Sequence, residues 1–181
     1  MKVIRQSIFE TNSSSSHSVS VKRNKGAQDK NFLINKSGKV ILTFGIGKNF
    51  ACDYTEYTDA NTKLNYLACM ALQCHQQLLR NHNRENSCNI DDVLKIKDIK
   101  KLESCLKKNV KGFTGFVILP DALWVYKSEY SLESQIMCEG GIDHQSYEDF
   151  GNIDDFLKYW KVSLENFLFN PRVTLIISSD W

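Results

Sequence analysis

Two stretches of helical periodicity occupy the middle of this chain, and strand-patterned runs flank them. That order constrains the fold more than any single residue does. Leu64, Leu67, Ala68, Ala71, His75, Leu78 and Leu79 recur at the spacing of one helical face. Thr58 or Asp59 is suited to cap the helix at its start, and the pattern fades near Arg80. Asn81 to Asn89 holds four asparagines and no core spacing. A second helical region, in one or two pieces, runs from Asp91 to Asn109 on the stripe Ile96, Ile99, Leu102 and Leu106.

The flanks read differently. Lys2 to Phe9 and His17 to Lys22 suit an antiparallel pair of strands around an Asn/Ser loop. Lys22 to Lys30 reads as a basic surface connection. Phe32 to Ile34 and Lys39 to Phe44 suit a hairpin about Asn35-Lys36-Ser37-Gly38, ended by Gly45 and Gly47. Further on, Phe113 to Leu119 and Leu123 to Tyr126 are strand-like, with a turn at Pro120-Asp121. Ser128 to Met137 has no clear pattern, and Glu139 to Ser146 has the texture of a loop because paired glycines are costly inside an element. From Asn152 a single helix is expected on Ile153, Phe156, Leu157, Trp160, Leu164, Phe167 and Leu168. Pro171 ends it, and Val173 to Ile177 reads as a buried strand. Strands, helices, strands, helix, strand predicts one α+β domain over residues 1–181, with a mainly antiparallel or mixed sheet, about three helical regions and a possible helical insertion at 58–111. A hydrophobic content of 42% and 181 residues are enough for a sizeable core.

Polar chemistry concentrates in two segments, Glu10 to Ser18 and Glu139 to Ser146. If they meet at a sheet edge, Glu10, His17, Asp143 and His144 make an acid–base set, because an imidazole held by a carboxylate accepts protons near neutral pH. The competing reading is structural: Asn12 and the serines satisfy strand-end backbone groups. No Gly-x-Ser-x-Gly turn is present, and Gly45-Ile46-Gly47-Lys48 lacks the full phosphate-loop pattern. His75 and His82 are seven residues apart, but no zinc-type spacing is complete, so neither metal nor cofactor is expected. The six cysteines include no Cys-x-x-Cys pair. Met1 to Gln6 lacks the apolar run of an export signal, and no stretch approaches a membrane span. Reduced thiols in a cytoplasmic setting are therefore expected.

The net charge of +2 conceals segregation. Residues 1–50 hold nine Lys/Arg against two Asp/Glu, and residues 95–111 hold seven against two. Residues 121–160 hold two against nine. Such blocks can steer a charged partner. The basic segments, Lys22, Arg23 and Lys25 among them, are candidates for salt-sensitive phosphate contacts. No established nucleic-acid-binding motif accompanies them, and a plain solvated face is the competing explanation.

The opening run Arg5-x-x-x-Phe9-Glu10-Thr11-Asn12-Ser13-Ser14-Ser15-Ser16-His17-Ser18 resembles a family of largely uncharacterised phage and prophage proteins. Further pieces fit the same resemblance: Gly45 to Gly47 with Tyr54 to Ala60 and Lys63 to Leu67, then Gly141 to Ser146, then Phe169-Asn170 with a closing strand. The resemblance implies a mobile-element origin and brings no reaction with it. The expected function is an accessory protein in a host bacterial cell that binds a host protein or ribonucleoprotein, such as a nucleic-acid-guided defence nuclease, and inhibits it. Asn12, Ser13, Ser14, Ser15, Ser16, His17, Lys22, Arg23, Lys25, His144 and Gln145 are the candidate contact residues. The alternatives are a small nucleotide-directed enzyme using the acid–base set, and a minor virion or assembly component.

Overall fold

A computed structural model of the chain describes residues 14–21, 28–48, 50, 55–81, 90–127, 134–138, 140, 142 and 150–180. These residues form an α+β domain whose strands fall into three small sheets. In the first, β7 (Val173–Asp180) runs between β1 (Ser14–Val21) and β3 (Thr55–Tyr57), antiparallel to both. Val173, Leu175 and Ile177 are fully buried, and Thr174 and Ile176 nearly so. Burial on both faces explains why this strand is a continuous apolar run and not an alternating one.

The second sheet pairs β2 (Lys39–Leu42) in parallel with β4 (Gly115–Ile118). A parallel pair needs a long crossover. Here the crossover contains β3, α1 (Ala60–Asn81), α2 (Ile90–Val93) and α3 (Lys97–Asn109). The third sheet is β5 (Leu123–Lys127) antiparallel to β6 (Ser134–Cys138), entered through a 3-10 turn at Pro120–Ala122. The expected hairpin is present in short form: Ile34 bridges Val40, and Asn35 Oδ1 accepts from the backbone N–H groups of Ser37 and Lys39.

Helix α1 organises the core. Asp59 Oδ1 accepts from Thr62 N at 2.7 Å, and Asp29 Oδ2 from Ala60 N at 2.8 Å, so two of the open N–H groups at its start are satisfied. The stripe Leu64, Leu67, Ala68 and Ala71 is buried as its spacing predicts, but so are Tyr66, Cys69, Met70 and Leu72 on the other sides. Leu78, at the far end, is exposed. Aromatic rings close the core around the helix. Phe50 lies 5.4 Å from Tyr66 and 5.7 Å from Tyr57, and Phe156 lies 5.9 Å from Tyr66 and 5.6 Å from Phe167.

Two expectations change. Ser14, Ser15 and Ser16 are not loop but strand, paired with Asp180, Ser179 and Ser178. β7 is long enough to hold them in its ladder, and ladder bonds replace the side-chain caps expected of a serine loop. The helix expected from Asn152 is two: α4 (Ile153–Tyr159) and α5 (Leu164–Phe169). Val162 N bonds to Leu157 O and Lys161 N to Lys158 O, with Lys161 at φ 52°. This is a Schellman stop, with lysine in the place glycine usually takes. Ser163 Oγ then accepts from Asn166 N and starts the next helix. Trp124 and Tyr126 lie on the expected strand and are exposed.

Candidate functional site

Most of the sequence-derived candidates, namely Glu10, Asn12, Ser13, Lys22, Arg23, Lys25, Asp143, His144 and Gln145, lie outside the described residues, as do His82, Lys2 to Phe9 and most of Asn81 to Asn89. Of the remainder, Ser14, Ser15, Ser16 and His17 are on β1, with His17 opposite Ile177. The second polar segment is held at two described points. Gly140 N donates to Phe44 O at 2.9 Å, and a Cβ on Gly140 would stand 2.6 Å from Gly45 Cα. Ile142 bridges Phe50, and Gln73 Nε2 donates to Ile142 O at 3.3 Å. Within the described residues the two segments are therefore anchored to different elements: β7 for one, and the β2 end with Phe50 and α1 for the other.

The structure draws together basic residues that are far apart in sequence. Helix α3 buries Ile99, Leu102, Cys105 and Leu106 and leaves Lys97, Lys100, Lys107 and Lys108 exposed. Lys30 reaches the end of this helix and donates to Asn109 O at 2.7 Å. A cation there suits the negative end of the helix dipole. The Asn35–Gly38 turn docks onto the segment that follows α3. Thr114 N donates to Gly38 O at 3.1 Å and Thr114 Oγ1 to Ser37 O at 3.0 Å. A Cβ on Gly38 would stand 2.8 Å from Gly112 O, so the turn can sit this close only as glycine. The exposed Lys36 and Lys39 thereby come beside the exposed Lys111. Among the described residues, Lys30, Lys36 and Lys39 of the first basic block are thus carried against the end of α3 and the segment after it, where Lys107, Lys108 and Lys111 are exposed.

A cleft of about 560 Å³ borders this surface between α3 and α4–α5. Lys101, Lys108 and Lys158 line it with Ser104. Lys101 pairs with Asp154, and Lys108 approaches Glu165 at 3.7 Å. Cys105 also lines it, but burial pushes its thiol up to about 11, so it is no thiolate nucleophile at neutral pH.

A second cleft, of about 310 Å³, gathers Cys74, His75, Asp98, Asn152, Asp154 and Asp155. Much of this chemistry serves the fold. Asp98 Oδ2 accepts from Ile153 N at 2.9 Å, and Asn152 Oδ1 accepts from Asp155 N at 3.0 Å, so both cap α4. The Cys74 thiol donates to Phe150 O at 3.0 Å and is pushed up to about 12 by burial. Among the described residues, no three His, Cys, Asp or Glu side chains are placed to hold a metal ion. Cys69, Cys74, Cys105 and Cys138 are buried.

Sequence reasoning missed the buried polar groups of α1. Lys63, with no exposed surface, donates to Asn170 O at 3.0 Å and Val173 O at 3.2 Å. Burial lowers its pKa to about 8, against the opposing pull of Asp29 and Asp59. Its sealed position makes it a strut and not a nucleophile. Asn65 Oδ1 accepts from Thr43 N and Phe44 N, and so shapes the turn that leaves β2. Gln76 donates to Ile136 O, tying α1 to β6. The only sequence signal was the presence of polar side chains inside an otherwise apolar helix. Among the described residues, no helix is long and apolar enough to cross a membrane. No family model, no curated protein and no solved structure matches the chain.

Proposed function

We propose that the chain is a phage or mobile-element accessory protein that binds a host macromolecule and inhibits it. The target class favoured by its charge is a nucleic-acid-guided defence nuclease. The observation that carries this reading is the composite basic surface built from Lys30, Lys36, Lys39, Lys107, Lys108 and Lys111. Lysines on a rigid helix and a docked turn suit phosphate contacts, which set register and supply affinity without reading bases. A ribonucleoprotein offers such phosphates beside protein surface. The resemblance of the Phe9 to Ser18 motif to phage proteins supplies the setting.

The test is a pull-down from bacterial lysate with and without nuclease treatment, followed by binding to the purified guide-loaded target over a salt series. Reversing Lys36, Lys107, Lys108 and Lys111 to Glu is expected to flatten the salt dependence, by about 0.7 in log–log slope per lost single-strand phosphate contact. The variant should also release the nuclease from inhibition. Unchanged affinity and slope would refute the role of this surface.

A further inference from the structure

Two buried thiols stand where helix α1 meets strand β6. Cys69, Gln73 and Gln76 fall at the i, i+4 and i+7 positions of one face of α1. Gln76 Nε2 donates to Ile136 O on β6, and Gln73 Nε2 donates to Ile142 O at 3.3 Å, beyond the strand. This face therefore lies along β6 and the chain that follows it. On β6, Ile136 and Cys138 share the buried side. There the Cys69 and Cys138 thiols are hydrogen-bond partners. Cys69 has no exposed surface, and Cys138 is 6% exposed. Among the described residues, the β5–β6 sheet has no strand pairing with the other two sheets, so its hold on α1 is made of side-chain contacts.

We propose that Cys69 and Cys138 form a disulfide when hydrogen peroxide oxidises them, and that this bond staples the β5–β6 sheet to α1. Peroxide is close to water in size, so it reaches a sulfur that a bulkier thiol reagent does not. Cys138, the more exposed of the two, reacts first. Its sulfur attacks one peroxide oxygen, the O–O bond breaks, and hydroxide leaves with the thiol proton as water. The product is a sulfenic acid. The Cys69 sulfur then attacks the Cys138 sulfur. The S–S bond forms, the S–O bond breaks, and the oxygen leaves as a second water. The two thiols lose two electrons in all, and peroxide gains them. Cys74 and Cys105 face other groups, the Phe150 carbonyl and the Asn109 amide. Burial holds the Cys69 thiol well above its usual range, so the reaction is slow at neutral pH and faster as pH rises. The bridge closes a long loop of the unfolded chain, which favours the native state.

The test uses the full chain carrying Cys52→Ser and Cys88→Ser, folded and fully reduced. It is treated with excess hydrogen peroxide at about pH 8.5, alkylated in urea, and mapped by peptide mass spectrometry. The expected product links Cys69 to Cys138 with the loss of two hydrogens, leaves Cys74 and Cys105 alkylated, and reverts with dithiothreitol. The bridged protein should melt roughly 10 °C above the reduced one. The same treatment in urea is the control for chance pairing and should give mixed pairs. Cys69→Ala, with circular dichroism as the check on folding, should carry Cys138 on to the sulfinic acid with no bridge. Should that variant fail to fold, the map of the parent protein still decides. A folded product that joins other cysteines as readily would overturn the pairing. So would oxidation of Cys138 without a bridge to Cys69, or four intact thiols after excess peroxide. A bridged protein that melts no higher than the reduced one would overturn the staple.

Discussion

Replacing Lys63 with methionine isolates the energetic consequence of sealing an amine in the core. Lys63 has no exposed surface, and its ammonium lies 5.9 Å from the Phe167 ring centroid and within hydrogen-bond reach of two carbonyls. Burial lowers its pKa from 10.5 to about 8. Between those values the unfolded chain still holds a proton that the native chain has released, so native stability rises with pH across this window. Below pH 8 Lys63 is charged in both states and the full desolvation cost is present; above 10.5 it is neutral in both. The difference of about 2.5 units corresponds to roughly 3 kcal/mol. Lys63→Met lacks this titration. It also removes the donor that Lys63 supplies to the carbonyls of Asn170 and Val173, at a cost that does not vary with pH, although Asn170 O still accepts from Val173 N. Urea unfolding of both proteins at pH 7.5, 9 and 10.5 is the assay. Wild-type stability minus variant stability should climb by about 3 kcal/mol over that range. The thiols and Tyr66 have raised pKa values, and they destabilise both proteins equally as pH rises, so they cancel in the difference. Parallel pH profiles would refute the reasoning, because they would show that Lys63 keeps an ordinary affinity for its proton.

Three further outcomes are expected. Asn65→Ala leaves the buried N–H groups of Thr43 and Phe44 without their acceptor, and should cost about 3 kcal/mol in urea unfolding. Gly140→Ala drives a Cβ to 2.6 Å from the Gly45 backbone and should cost at least about 2 kcal/mol; Gly47→Ala meets open space and pays only for φ 69°, about 1 kcal/mol, so calorimetry should rank them in that order. In a Cys52→Ser, Cys88→Ser background, the four buried thiols should resist a thiol reagent at pH 7.5 and all react after unfolding. Because the native Cys74 and Cys105 pKa values are raised to about 12 and 11, the stability of the same protein carrying Lys63→Met, which lacks the opposing lysine titration, should be intact below pH 9 and fall as pH rises above it.

What the sequence made legible was local in origin. The stripes of α1 and α3, the Asp59 cap, the Asn35–Gly38 turn and the apolar run of β7 each follow from residues within a few positions of one another. The α4–α5 break was hidden because the turn from Trp160 to Ser163 keeps apolar residues on the core side of both helices. A stripe records which side is buried, and it persists through a Schellman turn when lysine accepts the glycine position. The serine run misled for a related reason: β propensity is weak against the pull of a long partner strand, and that partner lies some 160 residues away.

The functional surfaces were legible only in part, because they are products of long-range contact. Charge counting separates a basic start from a basic middle, but it cannot say that Lys30 caps α3 or that Gly38 meets Gly112. The informative residues here are the plain ones that let two backbones touch.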